Sequence, residues 1–135
     1  MIKKVSHIGI AVSNLQEAIE VYKKLGLEVE AIETVESQKV RVAFLPVGKE
    51  VRIELLEPTS EDSPIARFIE KKGQGIHHIA LATDNIENEL KHAENQDLRL
   101  IDKTPRQGAH HASIGFLHPK AMNGVLLELC QEKDG

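Results

Sequence analysis

His78–Glu87, HIALATDNIE, reads as a second copy of His7–Gln16, HIGIAVSNLQ. The segments agree at His, Ile, Ala and Asn and elsewhere exchange like for like, Ile10 with Leu81 and Leu15 with Ile86. A repeat of this kind predicts two similarly folded modules. It also separates the members of the His77-His78 doublet, because His78 has a counterpart in the first copy and His77 has none.

Outward from the repeat, each copy continues alike. Ser13-Asn14 and Asp84-Asn85 offer side chains that cap a following helix, with Glu17 and Glu87 three residues on from Asn14 and Asp84. In the first copy Leu15, Ala18, Ile19, Tyr22 and Leu25 fall at helical spacing before Gly26; in the second Ile86, Leu90 and Ala93 form a weaker stripe. Short β-rich segments follow: Leu27–Thr34, Lys39–Pro46 and Glu50–Leu56, then Arg99–Lys103, Ala112–Leu117 and Gly124–Cys130. Pro46-Val47-Gly48 and Met122-Asn123-Gly124 mark turns before the last strand of each half. Both halves therefore read strand, helix, strand, strand, strand. Between them Asp62-Ser63-Pro64 starts a short helix with Ile65, Phe68 and Ile69 on one stripe, stopped at Gly73-Gln74-Gly75. The expected organisation is one domain over 1–135: module 1 about 1–57, linker helix about 58–75 and module 2 about 76–132.

Side chains alternate along a strand, so parity sorts candidates by face. His7 shares its face with Gly9 and Ala11, while Ile8, Ile10 and Val12 form the bulky side. His78 goes with Ala80 and Ala82, and His77 with Ile79 and Leu81. In the closing strands Glu54 opposes Val51, Ile53 and Leu55, and Glu128 opposes Val125, Leu127 and Leu129. His7 and Glu54 are 47 residues apart and His78 and Glu128 are 50, the near-equal spacing of duplicated modules. If the modules pair around a pseudo-twofold axis, the four side chains converge. Two imidazoles and two carboxylates suit one divalent ion such as Co, Zn, Mn, Ni or Fe, whose charge the carboxylates offset. Taken singly, a strand histidine or glutamate is more often structural; the paired pattern is what points to a site. His77 reads as structural, His92 as an exposed helix residue, His110, His111 and His118 as loop residues, and Cys130 as a small packed group.

Composition limits the partners. With 17 basic and 21 acidic residues, a formal charge of −4 and no basic run, the chain of 135 residues does not suit nucleic acid. One cysteine excludes an internal disulfide, and MIKKVSHIGIAV is too short an apolar stretch for a signal peptide or membrane span. A soluble, cytoplasmic protein with no membrane partner is expected.

HIGIAV, EDSPIARFIEKKGQGIHHIA, GAHHASIGFLHPK and NGVLLEL resemble the vicinal oxygen chelate superfamily nearly end to end, and most of all its methylmalonyl-CoA epimerases. The resemblance implies an α+β fold of two paired βαβββ modules forming an open, barrel-like sheet around a metal-binding cleft. It puts the metal ligands at His7, Glu54, His78 and Glu128. It implies 1,1-proton transfer on an acyl-CoA thioester through a metal-stabilised enediolate, in a homodimer. A glutamate that some epimerases carry on the third strand, five residues before a proline, is replaced by Arg41, which cannot act as a base at neutral pH. Glu54 and Glu128 are therefore expected to be the acid–base pair, with Lys120 and Arg106 as candidates for substrate phosphate. Glyoxalase I, acting on a glutathione hemithioacetal, shares the four ligands, but its usual Asp-Pro-Asp-Gly type turn is replaced here by His118-Pro119-Lys120-Ala121-Met122-Asn123-Gly124. A non-catalytic small-molecule binding protein of the same fold is the remaining alternative.

Overall fold

In the computed structural model, which describes residues 1–133, the chain belongs to the α+β class. The last two residues of the expected domain, 134–135, lie outside the described residues. The chain divides into two compact units, one spanning His7–His77 and the other combining Met1–Ser6 with the chain from His78 onward. None of the described helices is long and apolar enough to cross a membrane.

In the His7–His77 unit the strand order is β2 (Ala31–Val35), β3 (Val40–Val47), β4 (Val51–Pro58), then the second part of β1 (Ile2–Ala11). β1 and β4 run parallel; the other pairs are antiparallel. Parallel neighbours need a crossover, and α1 (Leu15–Lys23) begins it. Its open N-terminal donors are met twice: Asn14 Oδ1 accepts from Glu17 N at 3.0 Å, and a Glu57 carboxylate oxygen accepts from Leu15 N at 2.7 Å. Leu15 and Ile19 pack on Val12, Ala43, Leu45 and Leu55, so one sheet face is closed by α1. The helix is shorter than the sequence pattern predicts. Leu25 lies past its end and is 77% exposed, because Gly26, at φ +92°, turns the chain away and donates to Lys23 O. β2 likewise begins at Ala31 rather than Leu27: Leu27 and Val29 pack against the α1 cluster, and only Glu30 N reaches across to Phe44 O before regular pairing starts. After β4, Ser63 caps α2 (Pro64–Lys72) through its hydroxyl, which accepts from Ile65 N at 3.1 Å.

In the other unit the first part of β1 is followed in order by β5 (Gly75–Thr83, here from His78), β8 (Leu127–Gln131), β7 (Ser113–Leu117) and β6 (Arg106–Gln107). β5 and β8 are parallel, as β1 and β4 are. α3 (Ile86–Asn95) is capped by Asn85, whose Oδ1 accepts from Asn88 N at 3.1 Å. Asn88, rather than Glu87, therefore holds the third helical position. Leu90, 1% exposed, packs with Ile86, Ala93, Leu117 and Leu129. A Cβ on Gly115 would lie 3.0 Å from a Leu90 methyl, so the missing side chain on β7 is what lets α3 come this close.

The segment Arg99–Lys103 is not the strand that its composition predicts. Only Leu100 bridges to Leu117, and the short β6 lies further on. Ile101 N and Asp102 N both donate to Phe116 O, and the Asp102 carboxylate accepts from Phe116 N at 2.9 Å, where a regular ladder would use a backbone carbonyl. Gly124–Leu126 also stays outside β8, although Leu126 O accepts from Ile79 N at 3.3 Å.

Removing Leu90 leaves a cavity that the fixed helix cannot close, so Leu90→Ala is expected to cost about 2–5 kcal/mol and exposed Leu25→Ala under about 0.5 kcal/mol in denaturant unfolding. A pH effect is expected at Lys39 and Asp62, which join the β3 entry to the α2 entry by an ion pair. The hydrogen bond from Lys39, helped by Ser60, lowers the Asp62 pKa from 3.8 to about 2. Its folded pKa lies below the unfolded one, so the contribution is present above 3.8 and lost as pH falls toward 2. The Tm difference between wild type and Asp62→Asn should accordingly be largest near neutral pH, shrink below pH 4, and be reduced by salt.

Candidate functional site

Strand register builds the same arrangement twice. Glu54 on β4 stands opposite Gly9 on β1, and Glu128 on β8 stands opposite Ala80 on β5. In each case the histidine lies two residues earlier on the first strand, so His and Glu share a face. The residue opposite each glutamate is small, and no bulky side chain intervenes. His7 Nδ1 lies 3.1 Å from Glu54 Oε2, and His78 Nε2 lies 3.3 Å from Glu128 Oε1. All four side chains are about 95% buried, and a carboxylate taken so far from water costs several kcal/mol unless paired and hydrogen-bonded.

Aromatic rings line both pairs. Phe44 on β3 is the cross-strand partner of Glu54, and Phe116 on β7 is the partner of Glu128. The Phe116 ring meets His78 edge-on at 5.7 Å, which fixes the imidazole plane. The first pair holds a further charge: Arg52 Nε donates to Glu54 Oε2 at 2.9 Å, and its guanidinium lies 5.6 Å from the centre of the Phe44 ring. Parity alone carried a signal for this residue, since Arg52 is two positions before Glu54 and on its face, where Leu126 precedes Glu128.

The histidine doublet diverges as strand alternation requires. His78, with Ala80 and Ala82, is buried beside Glu128, while His77 meets Phe68 of α2 edge-on at 5.0 Å. Burial lowers the His77 pKa from 6.5 to about 4, so this imidazole is neutral at pH 7. Cys130 is buried among Ala80, Ala82, Ala112, Ile114 and Phe116. Arg41 is half exposed and pairs with Glu57 at 3.3 Å, the same carboxylate that caps α1, which gives it a structural task. Of the candidates for substrate phosphate, Lys120 is exposed in the turn Pro119–Ala121, where its N–H donates to His118 Nδ1 at 3.0 Å. Arg106 Nε lies 3.3 Å from Asp102 Oδ1, and its guanidinium lies 5.4 Å from the centre of the Phe116 ring.

Residues 6–116 match the family model described as Glyoxalase/Bleomycin resistance protein/Dioxygenase superfamily. A mitochondrial methylmalonyl-CoA epimerase of Dictyostelium discoideum is 44% identical over 131 residues, covering 95% of this chain and 78% of that protein. An ethylmalonyl-CoA/methylmalonyl-CoA epimerase of Cereibacter sphaeroides is 39% identical over 134 residues, covering 97% and 99%. Among solved structures, a variant methylmalonyl-CoA epimerase of Streptomyces coelicolor in complex with 2-nitronate-propionyl-CoA superposes with a TM-score of 0.95 at 36% identity, covering 99% of this chain and all of that one.

Proposed function

Because this chain belongs to the glyoxalase/bleomycin resistance/dioxygenase superfamily, we propose that it epimerises methylmalonyl-CoA, using His7, Glu54, His78 and Glu128 as the ligands of one divalent ion and Glu54 and Glu128 as the acid–base pair. The observation that carries this reading is the buried His–Glu pair built twice at the same register, in a chain whose named relatives are such epimerases.

The donor set fits a borderline divalent ion, Co, Zn, Mn, Ni or Fe. The donor atoms of each pair stand 3.1 and 3.3 Å apart, near enough for both to reach one ion at the usual bond lengths. When bound, such an ion supplies positive charge against the negative charge that grows on the substrate oxygens as the α-proton leaves. The protein's own groups do the rest. One glutamate takes the proton from the carbon between the thioester and the carboxylate, and the C–H electron pair moves into the conjugated carbonyl system. The other glutamate, which starts protonated, gives its proton to the opposite face, so the centre inverts and the two carboxyls exchange protonation states. Acid–base help of this kind contributes about 10²–10⁴-fold. The buried setting excludes water from both carboxyls, and the Phe44 and Phe116 rings limit where each can swing. Lys120 and Arg106 are assigned to the phosphates of the acyl-CoA thioester. Homodimerisation is carried over from the family, and a cytoplasmic setting is supported by the single, buried cysteine.

Methylmalonyl-CoA in D₂O, with protein loaded with each ion in turn, is expected to take up deuterium at its α-carbon, while methylglyoxal with glutathione is not turned over. Turnover of the hemithioacetal without α-carbon exchange would replace the epimerase reading with glyoxalase I; neither activity, with no ion retained after metal reconstitution, would favour a metal-free binding protein. The ligand set has its own check in elemental analysis of folded variants: His78→Ala is expected to lose the ion and His77→Ala to keep it, whereas equal loss in both would contradict the assignment.

A further inference from the structure

We infer that Arg52 is a positioning residue for Glu54, holding that carboxylate in place and offsetting its charge, and so makes the two glutamates of the proposed site inequivalent. The inference rests on the function proposed above for Glu54, but its geometry stands alone. Arg52 Nε and His7 Nδ1 both address the same oxygen, Glu54 Oε2, at 2.9 and 3.1 Å. The hydrogen bond from Arg52 restricts rotation of the Glu54 carboxylate about its last side-chain bond.

Arg52 is itself held on its other side. Its guanidinium lies 5.6 Å from the centre of the Phe44 ring, a cation–π distance, and Phe44 is fully buried and is the cross-strand partner of Glu54. Register adds a third constraint, because Arg52 is the parallel-strand partner of His7. Arg52, His7, Glu54 and Phe44 thus form one packed group on β1, β3 and β4, and the arginine side chain is only 19% exposed. An arginine in such a place is not a solvated surface charge.

The repeat makes the asymmetry specific. Two positions before Glu128 the sequence has Leu126, an apolar residue that packs beside the Ala80–Phe116 cluster. A guanidinium therefore reaches Glu54 from a position whose counterpart brings only hydrocarbon toward Glu128. Without Arg52, Glu54 would keep His7 as a neighbour but lose the fixed cation that balances its buried charge.

The test is a mutant cycle read in two ways. In metal-free protein, Arg52→Met is expected to lower Tm by several degrees, and to lower it less than half as much when made on Glu54→Gln, because the arginine acts through that carboxylate. In metal-loaded protein, Arg52→Met is expected to reduce kcat for methylmalonyl-CoA epimerisation about tenfold or more with KM within about twofold, Arg52→Lys to restore part of the loss, and Arg52→Met/Glu54→Gln to be no slower than Glu54→Gln alone. Equal Tm losses in both backgrounds, or a KM rise with kcat unchanged, would overturn the inference, the latter marking a direct substrate contact. If the wild type does not epimerise, the proposed function fails and the metal-free cycle still decides the role of Arg52.

Discussion

A carboxylate buried in a sheet needs a partner that the same sheet can bring to it, and this protein solves that requirement twice with a histidine on the neighbouring parallel strand. The offset is the same both times: the glutamate faces Gly9 or Ala80, and the histidine sits two residues before that small residue. Much of the architecture serves this offset. Parallel pairing of the first and last strands of a module requires a long connection between them, and the helix and intervening antiparallel strands supply it. The helix then closes the opposite sheet face, through Leu15 and Ile19 in one unit and Ile86 and Leu90 in the other. The face with His and Glu is bordered by Phe44 in one unit and by Phe116 in the other.

Duplication repeats the backbone and the register but leaves the electrostatics open to change. One glutamate lies against an arginine and the other follows a leucine, although both occupy corresponding strand positions. Arg52 and Leu126 are where the two repeats differ beside their glutamates. Charges are felt strongly in a buried place, so an arginine beside one pair bears directly on its carboxylate.

Much of this was legible in the chain. Strand alternation separated His77 from His78 correctly because both lie inside one regular strand, where period-2 geometry has no freedom to vary. The caps at Asn14 and Ser63 were legible because capping depends on local hydrogen bonds. What failed depended on distant partners. Arg99–Lys103 has β-rich composition, but the Asp102 side chain takes the Phe116 N–H and interrupts the ladder. Leu25 keeps the helical period yet lies beyond the last turn, since spacing does not specify where a glycine redirects the chain. Arg52 stayed unnoticed because a charged residue on a strand reads as solvated until the aromatic ring and carboxylate that enclose it are known.

The sequence by itself determined the duplication, the parity of each strand, and hence which histidine and which glutamate share a face within each half. Those properties follow from backbone periodicity, which is local. Only the tertiary structure decided that the paired residues meet at 3.1 and 3.3 Å, and that Arg52 joins one pair with Phe44 behind it. Pairing distances and burial depend on how strands far apart in the chain are aligned, and no local rule fixes that alignment.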